Sequence, residues 1–298
     1  MKEPTIILDN GSSYLKAGLS NEEIPSVNIP VILGRSLYLT EKFDFRIKPL
    51  MIGDEVPPFR SFLELYYPMR EGIIINEDDM ITLYDYCIRK KLGITEDLRE
   101  RKLLLTETAS NPNYNKKKMG EIFFEKFGIG YFNIEPRAKL DLFSQGDTTG
   151  MVLHSGGSET YCVPIYDSYL LHHGIKKLDI AGRDISQYLA RLLTLKGYCY
   201  HLDVDFELIK EIKENYCFVS SDIRSERKLN KETTYHNSIM RLPDGRKIII
   251  SSEKYEAPEI LFNPYLIQNE QPGVHEMIVS SINVINYFII FCIINIGM

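Results

Sequence analysis

Cysteine is scarce in this chain, and its spacing argues against two kinds of site. The five cysteines are Cys87, Cys162, Cys199, Cys217 and Cys292. Their number is odd, and no two of them have the C-x-x-C spacing. This pattern argues against a disulfide framework and against a zinc knuckle, and it favours a reducing compartment.

The chain also lacks an excess of basic residues and a long apolar segment. Lys and Arg total 35 against 41 Asp and Glu, a net charge of -6, which argues against a protein that binds nucleic acid directly. The apolar run 287–294 is far shorter than the roughly 20 residues that a membrane span needs, so we expect no membrane insertion, with a tail anchor as the alternative. No linker rich in Pro, Gly or Ser divides the chain, which favours intertwined lobes over domains in series.

What is present is a pattern of strands alternating with amphipathic helices. Apolar residues recur at helical spacing from Met80 to Ile88 and from Ile185 to Leu193. Strands are predicted over 5–8, 102–106, 150–153 and 161–165, and the turn residues 243–246 predict a hairpin. The interleaving predicts an α/β fold with mixed sheets flanked by helices. Residues 36–51 have no clear helical period and are expected to form an exposed excursion.

Two short stretches of similar design occupy corresponding positions in the two halves of the chain. Each is an apolar strand that leads into a turn of small residues, at 7–13 and again at 152–158. Small residues let backbone N–H groups approach a phosphate closely. The turns differ where they open, because Asp9 begins the first and His154 begins the second. The pair indicates phosphates held between two related lobes.

Several motifs in order along the chain resemble those of the actin and actin-related proteins. They are Asp9-Asn10-Gly11-Ser12 with Lys16-Ala17-Gly18, Leu104-Leu105-Thr106-Glu107, Leu178-Asp179-Ile180-Ala181-Gly182-Arg183-Asp184 and Ala257-Pro258-Glu259. The resemblance runs from Ile7 to about Asn283. It implies the two-lobed actin-like fold, built from duplicated ribonuclease-H-like domains, with the carboxyl-terminal part of that fold missing here. The implied subdomains are 1–29 with 68–144, 30–67, 145–180 with 270–298, and 181–269.

The resemblance also implies a nucleotide site for ATP or ADP, with Mg²⁺ as a candidate metal. The positions that it assigns to the nucleotide are Gly11, Ser12, Ser13, Lys16, Gly156, Gly157, Gly182, Lys213 and Glu214. Asp9 matches the carboxylate that orients waters around the cation. A helix cap at Gly182 to Asp184 and a surface role for Lys213 and Glu214 are the alternatives that the residues alone leave open.

The chain departs from the family at the positions that serve hydrolysis. Arg137 stands where the family has a glutamine, and His154 and Gly157 stand where it has two aspartates. Ser13 and Ser158 replace loop glycines. Phosphoryl transfer depends on positioning and electrostatics, so these changes predict a rate lower by several orders of magnitude. We hypothesise that Arg137 and His154 pair directly with the phosphates, which would give metal-poor binding without turnover.

These observations favour a divergent, nucleotide-binding actin-related protein that acts as a cytoskeletal or assembly subunit with weak or no ATP hydrolysis, a pseudoenzyme. Expected partners are other actins, actin-related proteins and cytoskeletal proteins in the cytoplasm, with the nucleus as an alternative location. An active filament-forming ATPase and a sugar or metabolite kinase of the same superfamily remain the alternatives. The Ile-, Asn- and Phe-rich tail from Val284 resembles translated non-coding sequence, and a naturally short form is the other interpretation.

Overall fold

The fold was analysed in a computed structural model of the chain. Described are residues 3–37, 47–198, 202–235, 237–241, 245, 247–285 and 294–297, with the backbone alone for 202–205 and 294–297. The chain divides into two compact units, Met1–Ile175 with Ser281–Met298 and Lys176–Ser280. The subdomain boundaries expected from the family resemblance stay a prediction.

The elements alternate between strands and helices, as the sequence pattern predicts. The strands of the amino-terminal part are β1 (Ile6–Asn10), β2 (Tyr14–Leu19), β3 (Val27–Pro30), β4 (Leu33–Ser36), β5 (Leu50–Ile52), β6 (Leu63–Tyr66), β7 (Met69–Arg70), β8 (Ile73–Ile74), β9 (Lys102–Glu107), β10 (Tyr131–Pro136), β11 (Gly150–Ser155), β12 (Thr160–Tyr166) and β13 (Tyr169–Leu170). Its helices are α1 (Glu77–Asp85), α2 (Asn113–Glu121) and α3 (Arg137–Ser144), with π-helical turns at Tyr86–Lys91 and Ile122–Lys126 and 3₁₀ turns at Gly53–Glu55, Pro57–Phe62 and His172–Gly174. There follow β14 (Lys176–Leu178), α4 (Gly182–Leu195), α5 (Leu202–Tyr216), α6 (Ile223–Glu232), β15 (Ser238–Arg241), β16 (Lys247–Ile250), α7 (Glu253–Glu256), 3₁₀ turns at Pro258–Leu261 and Pro264–Ile267, α8 (Val274–Val284) and β17 (Ile294–Gly297).

Two mixed sheets carry the two small-residue turns of the first unit, one turn in each sheet. One sheet has the order β10-β9-β1-β2-β3, in which β1 pairs in parallel with β9 and antiparallel with β2. The other has the order β13-β12-β11-β17, in which β11 pairs antiparallel with β12 and in parallel with β17. Each turn therefore joins two antiparallel strands, and both turns lie within one unit.

Helix α1 shows why the predicted helical face forms. The Asn76 side chain accepts a hydrogen bond from the Asp79 amide at 3.2 Å, which caps the helix, and three acidic residues occupy the first turn. Met80, Leu83 and Tyr84 are completely buried in the core beside β1, β2 and β9. The prediction of a helix with this apolar face is confirmed.

Two other predictions fall partly outside the described residues. The strands β15 and β16 pair antiparallel as predicted, whereas their turn is described at Gly245 alone. In the stretch 36–51, residues 38–46 lie outside the described residues, as do 286–293 and 298 in the tail. No helix among the described residues combines the length and the apolar character needed to cross a membrane.

Candidate functional site

The first small-residue turn joins β1 to β2 and requires glycine at its start. A Cβ atom on Gly11 would lie 2.5 Å from the Tyr14 carbonyl oxygen, which no side chain tolerates without a backbone shift. The Gly11 amide donates to the Asp9 carbonyl at 3.1 Å and tightens the turn. Lys16 is exposed on β2 and pairs in register with Asp9 on β1. The turn thus places a carboxylate and an ammonium on adjacent strands.

Ser12 holds this turn against a neighbouring loop. Its Oγ accepts a hydrogen bond from the Gly72 amide at 3.0 Å. Gly72 has a φ of 70°, and a Cβ there would lie 2.7 Å from Thr108 Cγ2, so this position also needs glycine. The sequence predicts Ser12 as a phosphate ligand, and the structure gives its oxygen a role in fixing the loop.

The two small-residue turns meet at Ser13 and Gly157. A Cβ on Gly157 would lie 1.9 Å from Ser13 Oγ and 2.7 Å from Ser13 Cβ, so the serine fills the space that a side chain at 157 would need. In the second turn the Gly156 amide donates to the Glu159 carbonyl at 2.9 Å. The two departures from the family pattern at positions 13 and 157 are therefore sterically coupled.

Arg137 lies at the centre of the polar cluster between these turns. It begins α3 directly after β10, and its Nε donates to Asp9 Oδ1 at 2.7 Å. Its Nη1 donates to His154 Nε2 at 3.1 Å, and Nη2 lies 3.5 Å from Thr106 Oγ1. The side chain is only 17% exposed, so the guanidinium is held in place by partners rather than by water.

His154 acts as the acceptor for Arg137, which fixes its tautomer. Because Nε2 accepts a hydrogen bond, the ring proton belongs on Nδ1. Nδ1 faces Asp141 Oδ2 at 3.7 Å, which is beyond hydrogen-bond length. The sequence predicts His154 as a phosphate partner, whereas in the structure its described polar neighbours are Arg137 and Asp141.

Asp9 is held as a carboxylate by two donors that bond to one of its oxygens. Thr106 Oγ1 donates to Asp9 Oδ1 at 2.6 Å, and Arg137 donates to the same oxygen. Burial by itself would raise the pKa of Asp9, but the charge of Arg137, the hydrogen bonds and the charge of Lys16 outweigh it, and the pKa lies below its ordinary value. Asp9 therefore carries a negative charge that Arg137 already balances.

The cluster does not fit a divalent cation. Mg²⁺ prefers oxygen ligands in octahedral geometry, and usually binds through one or two carboxylates. Here Asp9 Oδ1 is taken by two donors, and a guanidinium lies against it. Across the ranges that the structure describes, no group of three or more His, Cys, Asp or Glu side chains could hold a metal. The sequence prediction of Asp9 as a metal-organising residue stays untested by any bound ion, and its surroundings disfavour it.

In the second unit the structure brings two of the predicted nucleotide residues together. Lys213 Nζ on α5 donates to the Gly182 carbonyl at the start of α4, at 2.8 Å. Burial is the main cause that lowers the pKa of the Lys213 ammonium. Glu214 is exposed on the same helix. Asp184 accepts from the Ala181 amide at 2.9 Å, which confirms the helix-cap interpretation of this motif.

Thr106 is a site residue that sequence reasoning did not single out. Its hydroxyl donates to Asp9, while its oxygen accepts from the Asn10 amide at 3.0 Å. It lies near the carboxyl end of β9, which pairs in parallel with β1. Residues at the carboxyl ends of adjacent parallel strands lie close together, so the predicted strands β1 and β9 could have indicated that Thr106 lies near Asp9.

The comparisons with known proteins agree with this fold. A model of the family described as Actin matches residues 1–290. Actin-related protein 2 of Schizosaccharomyces pombe is 43% identical over 284 residues, covering 95% of this chain and 72% of that protein. The Acanthamoeba castellanii and Saccharomyces cerevisiae proteins of the same name are each 40% identical over 280 residues, covering 93% of this chain and 72% and 71% of their own lengths. The chain is therefore shorter than these relatives, and it belongs to the actin family as an actin-related protein.

Proposed function

We propose that this chain is a nucleotide-binding subunit of an actin-related cytoskeletal assembly and that it hydrolyses ATP weakly or not at all. The observation that carries the proposal is the position of Arg137, fixed on Asp9 and His154 between the two small-residue turns. Similarity to relatives named actin-related protein 2 supports partners among other actins and actin-related proteins. We propose a cytoplasmic location because the cysteine pattern favours a reducing compartment, with the nucleus as the alternative.

Phosphate binding is supported by the backbone of the two turns. Gly11 and Gly157 leave the backbone of the two turns without side chains, and Lys16 supplies an ammonium on the strand that follows the first turn. Such backbone turns and cationic side chains recognise phosphate oxygens. In the second unit, Gly182, Lys213 and Glu214 are proposed to contact the nucleoside, of either ATP or ADP.

Weak hydrolysis follows from what replaces the positioning groups. A neutral amide can orient an attacking water by donating to it and accepting from it, whereas a guanidinium only donates. The neighbouring imidazole, which accepts from Arg137, is not a carboxylate that orders the water shell of a cation. Because phosphoryl transfer relies on such positioning, the loss is expected to lower the rate by several orders of magnitude.

The test measures binding and turnover on the same purified full-length chain. We expect ATP to bind in calorimetry and inorganic phosphate to be released at least about 100-fold more slowly than from an ordinary actin assayed in parallel. The variant Gly11→Ala should lose binding because of the clash with Tyr14, while the matched variant Gly120→Ala, whose new Cβ would make only an ordinary contact with Phe132 at 3.9 Å, should bind normally.

Three results would contradict the proposal. Phosphate release at an ordinary actin rate would favour the filament-forming ATPase. Phosphate transfer to a sugar or another metabolite in a substrate screen would favour the kinase. Binding that survives Gly11→Ala unchanged would show that the first turn is not the phosphate site.

A further inference from the structure

The Arg137 guanidinium lies between the residues that open the two small-residue turns. It lies against Asp9, the carboxylate that opens the first turn, and it bonds to His154, which opens the second. It also lies beside the first turn itself, since Nη2 is 3.8 Å from the position of a Cβ on Gly11. A fixed positive charge therefore stands at the junction of the two turns that are proposed to hold phosphates.

The guanidinium keeps donors for a ligand. Arginine carries five N–H donors in a rigid fork, of which Nε serves Asp9 and one on Nη1 serves His154. An N–H group on Nη2 points toward Thr106 Oγ1, and the long distance from Nη2 to this oxygen is 3.5 Å. The described residues supply no further hydrogen-bond partner for the second N–H of Nη1 or of Nη2. N–H groups of a guanidinium match the oxygens of a phosphate.

A divalent cation at the same place would meet repulsion and few ligands. Its charge would lie next to the guanidinium, and Asp9, whose charge Arg137 already balances, is the carboxylate that the first turn offers. His154 offers an imidazole whose Nε2 is engaged, which is a poor ligand for Mg²⁺. The site thus contains the positive charge of the Arg137 guanidinium in place of an exchangeable metal ion.

We propose that Arg137 substitutes for the divalent cation, so that the chain binds the polyphosphate of a nucleotide without Mg²⁺. His154 is a positioning residue in this arrangement, because its hydrogen bond holds Nη1 in place. The inference rests on the proposed nucleotide-binding function, and it revises the hypothesis that His154 itself pairs with phosphate.

The test compares ATP affinity in excess Mg²⁺ and in excess EDTA, by calorimetry on the full chain. We expect the two dissociation constants of the wild-type chain to agree within about threefold. In the family-like double variant R137Q/H154D, which restores an amide and a carboxylate, ATP should bind at least about tenfold more tightly with Mg²⁺ than with EDTA, since a charge-assisted contact has been exchanged for a metal-dependent one.

The single variant Arg137→Lys separates the charge of Arg137 from its shape, and Arg99→Gln is its control. Arg137→Lys keeps the charge without the fork, so ATP binding should weaken in both buffers and stay insensitive to Mg²⁺. Arg99→Gln makes the Arg-to-Gln change at a position whose side chain is 83% exposed, and it should match the wild-type chain in both buffers. Circular dichroism melting identifies any variant that fails to fold. The comparison of wild-type ATP affinity in Mg²⁺ and in EDTA tests the proposal even if a variant does not fold.

The outcomes separate this inference from the proposed function. Wild-type binding only in the presence of Mg²⁺ would overturn the inference and leave nucleotide binding intact. Absence of ATP binding in both buffers would overturn the proposed function and the inference with it. A double variant as insensitive to Mg²⁺ as the wild-type chain would show that Arg137 is not the substituting cation.

Discussion

At the scale of single residues, Ser13 and Gly157 are coupled, because the Ser13 side chain fills the space that a side chain at position 157 would need. We predict that Gly157→Ala destabilises the fold by about 1–3 kcal/mol, because the new Cβ would overlap Ser13 Cβ, which a rotamer change cannot relieve. The double variant Ser13→Gly/Gly157→Ala should recover most of the loss. Urea unfolding of the two single variants and the double variant gives the coupling energy.

The matched control for this pair is Gly120→Ala, which lies in α2 and has only Phe132 at 3.9 Å from its Cβ. It should be neutral or stabilise the fold by up to about 1 kcal/mol, since alanine favours helix. Equal effects of Gly157→Ala in the presence and absence of Ser13 would show that the contact is not what excludes a side chain at 157.

At the scale of elements, the start of α1 depends on its cap. We predict that Asn76→Ala lowers the free energy of unfolding by about 1 kcal/mol, because the Asp79 amide loses its acceptor. Thr82→Ala is the control in the same helix, where the exposed hydroxyl only bonds back to the Asp78 carbonyl. Urea unfolding should show a clearly larger loss for Asn76→Ala; similar losses would refute the capping role.

A pH-dependent contact joins the 3₁₀ turn Gly53–Glu55 to the helical segment after α1. Glu55 accepts from Lys90 at 2.6 Å and from Lys48 at 2.8 Å. Burial would raise the pKa of Glu55, but these hydrogen bonds and charges lower it below its ordinary value. A lowered pKa stabilises the folded chain above the unfolded pKa of about 4.3, and this stabilisation disappears as pH falls through the folded value.

We therefore predict that Glu55→Gln costs at most about 1 kcal/mol at pH 7, as partly exposed ion pairs do. The difference from the wild-type chain should shrink as the pH falls below the unfolded pKa, and vanish once Glu55 is also protonated in the folded state. Urea unfolding at a series of pH values measures this. A difference that stays constant on acidification would contradict the role of the Glu55 charge.

Much of the element pattern could be predicted from the sequence, and the contacts of the site could not. Apolar spacing predicted α1 and α4, and β-rich runs predicted β1, β9, β11 and β12, because these signals are local. The hydrogen bond from Arg137 to Asp9 joins residues 128 positions apart, so no periodic pattern in the sequence predicts it. Lys213 shows the same limit, since its bond to Gly182 depends on how α5 packs on α4.

At the scale of the whole molecule, a ligand that binds only the folded chain raises its melting temperature by mass action. At about 100 times its dissociation constant, ATP should raise the melting temperature by about 3–8 °C, and equally in Mg²⁺ and in EDTA. Tripolyphosphate is the control, because it carries the phosphates without a nucleoside. A smaller shift with tripolyphosphate would support contacts to the nucleoside; an equal shift would contradict the proposal that Gly182, Lys213 and Glu214 make such contacts.

The overlap between positions 13 and 157 also restricts the order in which substitutions can accumulate. A chain that carries Ser13 cannot accept the family's aspartate at 157 without an intermediate that suffers the clash. The accessible route removes the serine side chain first. Laboratory evolution toward an active enzyme from this starting point should therefore fix Ser13→Gly before any acidic residue appears at 157, and libraries that hold Ser13 constant should rarely yield one.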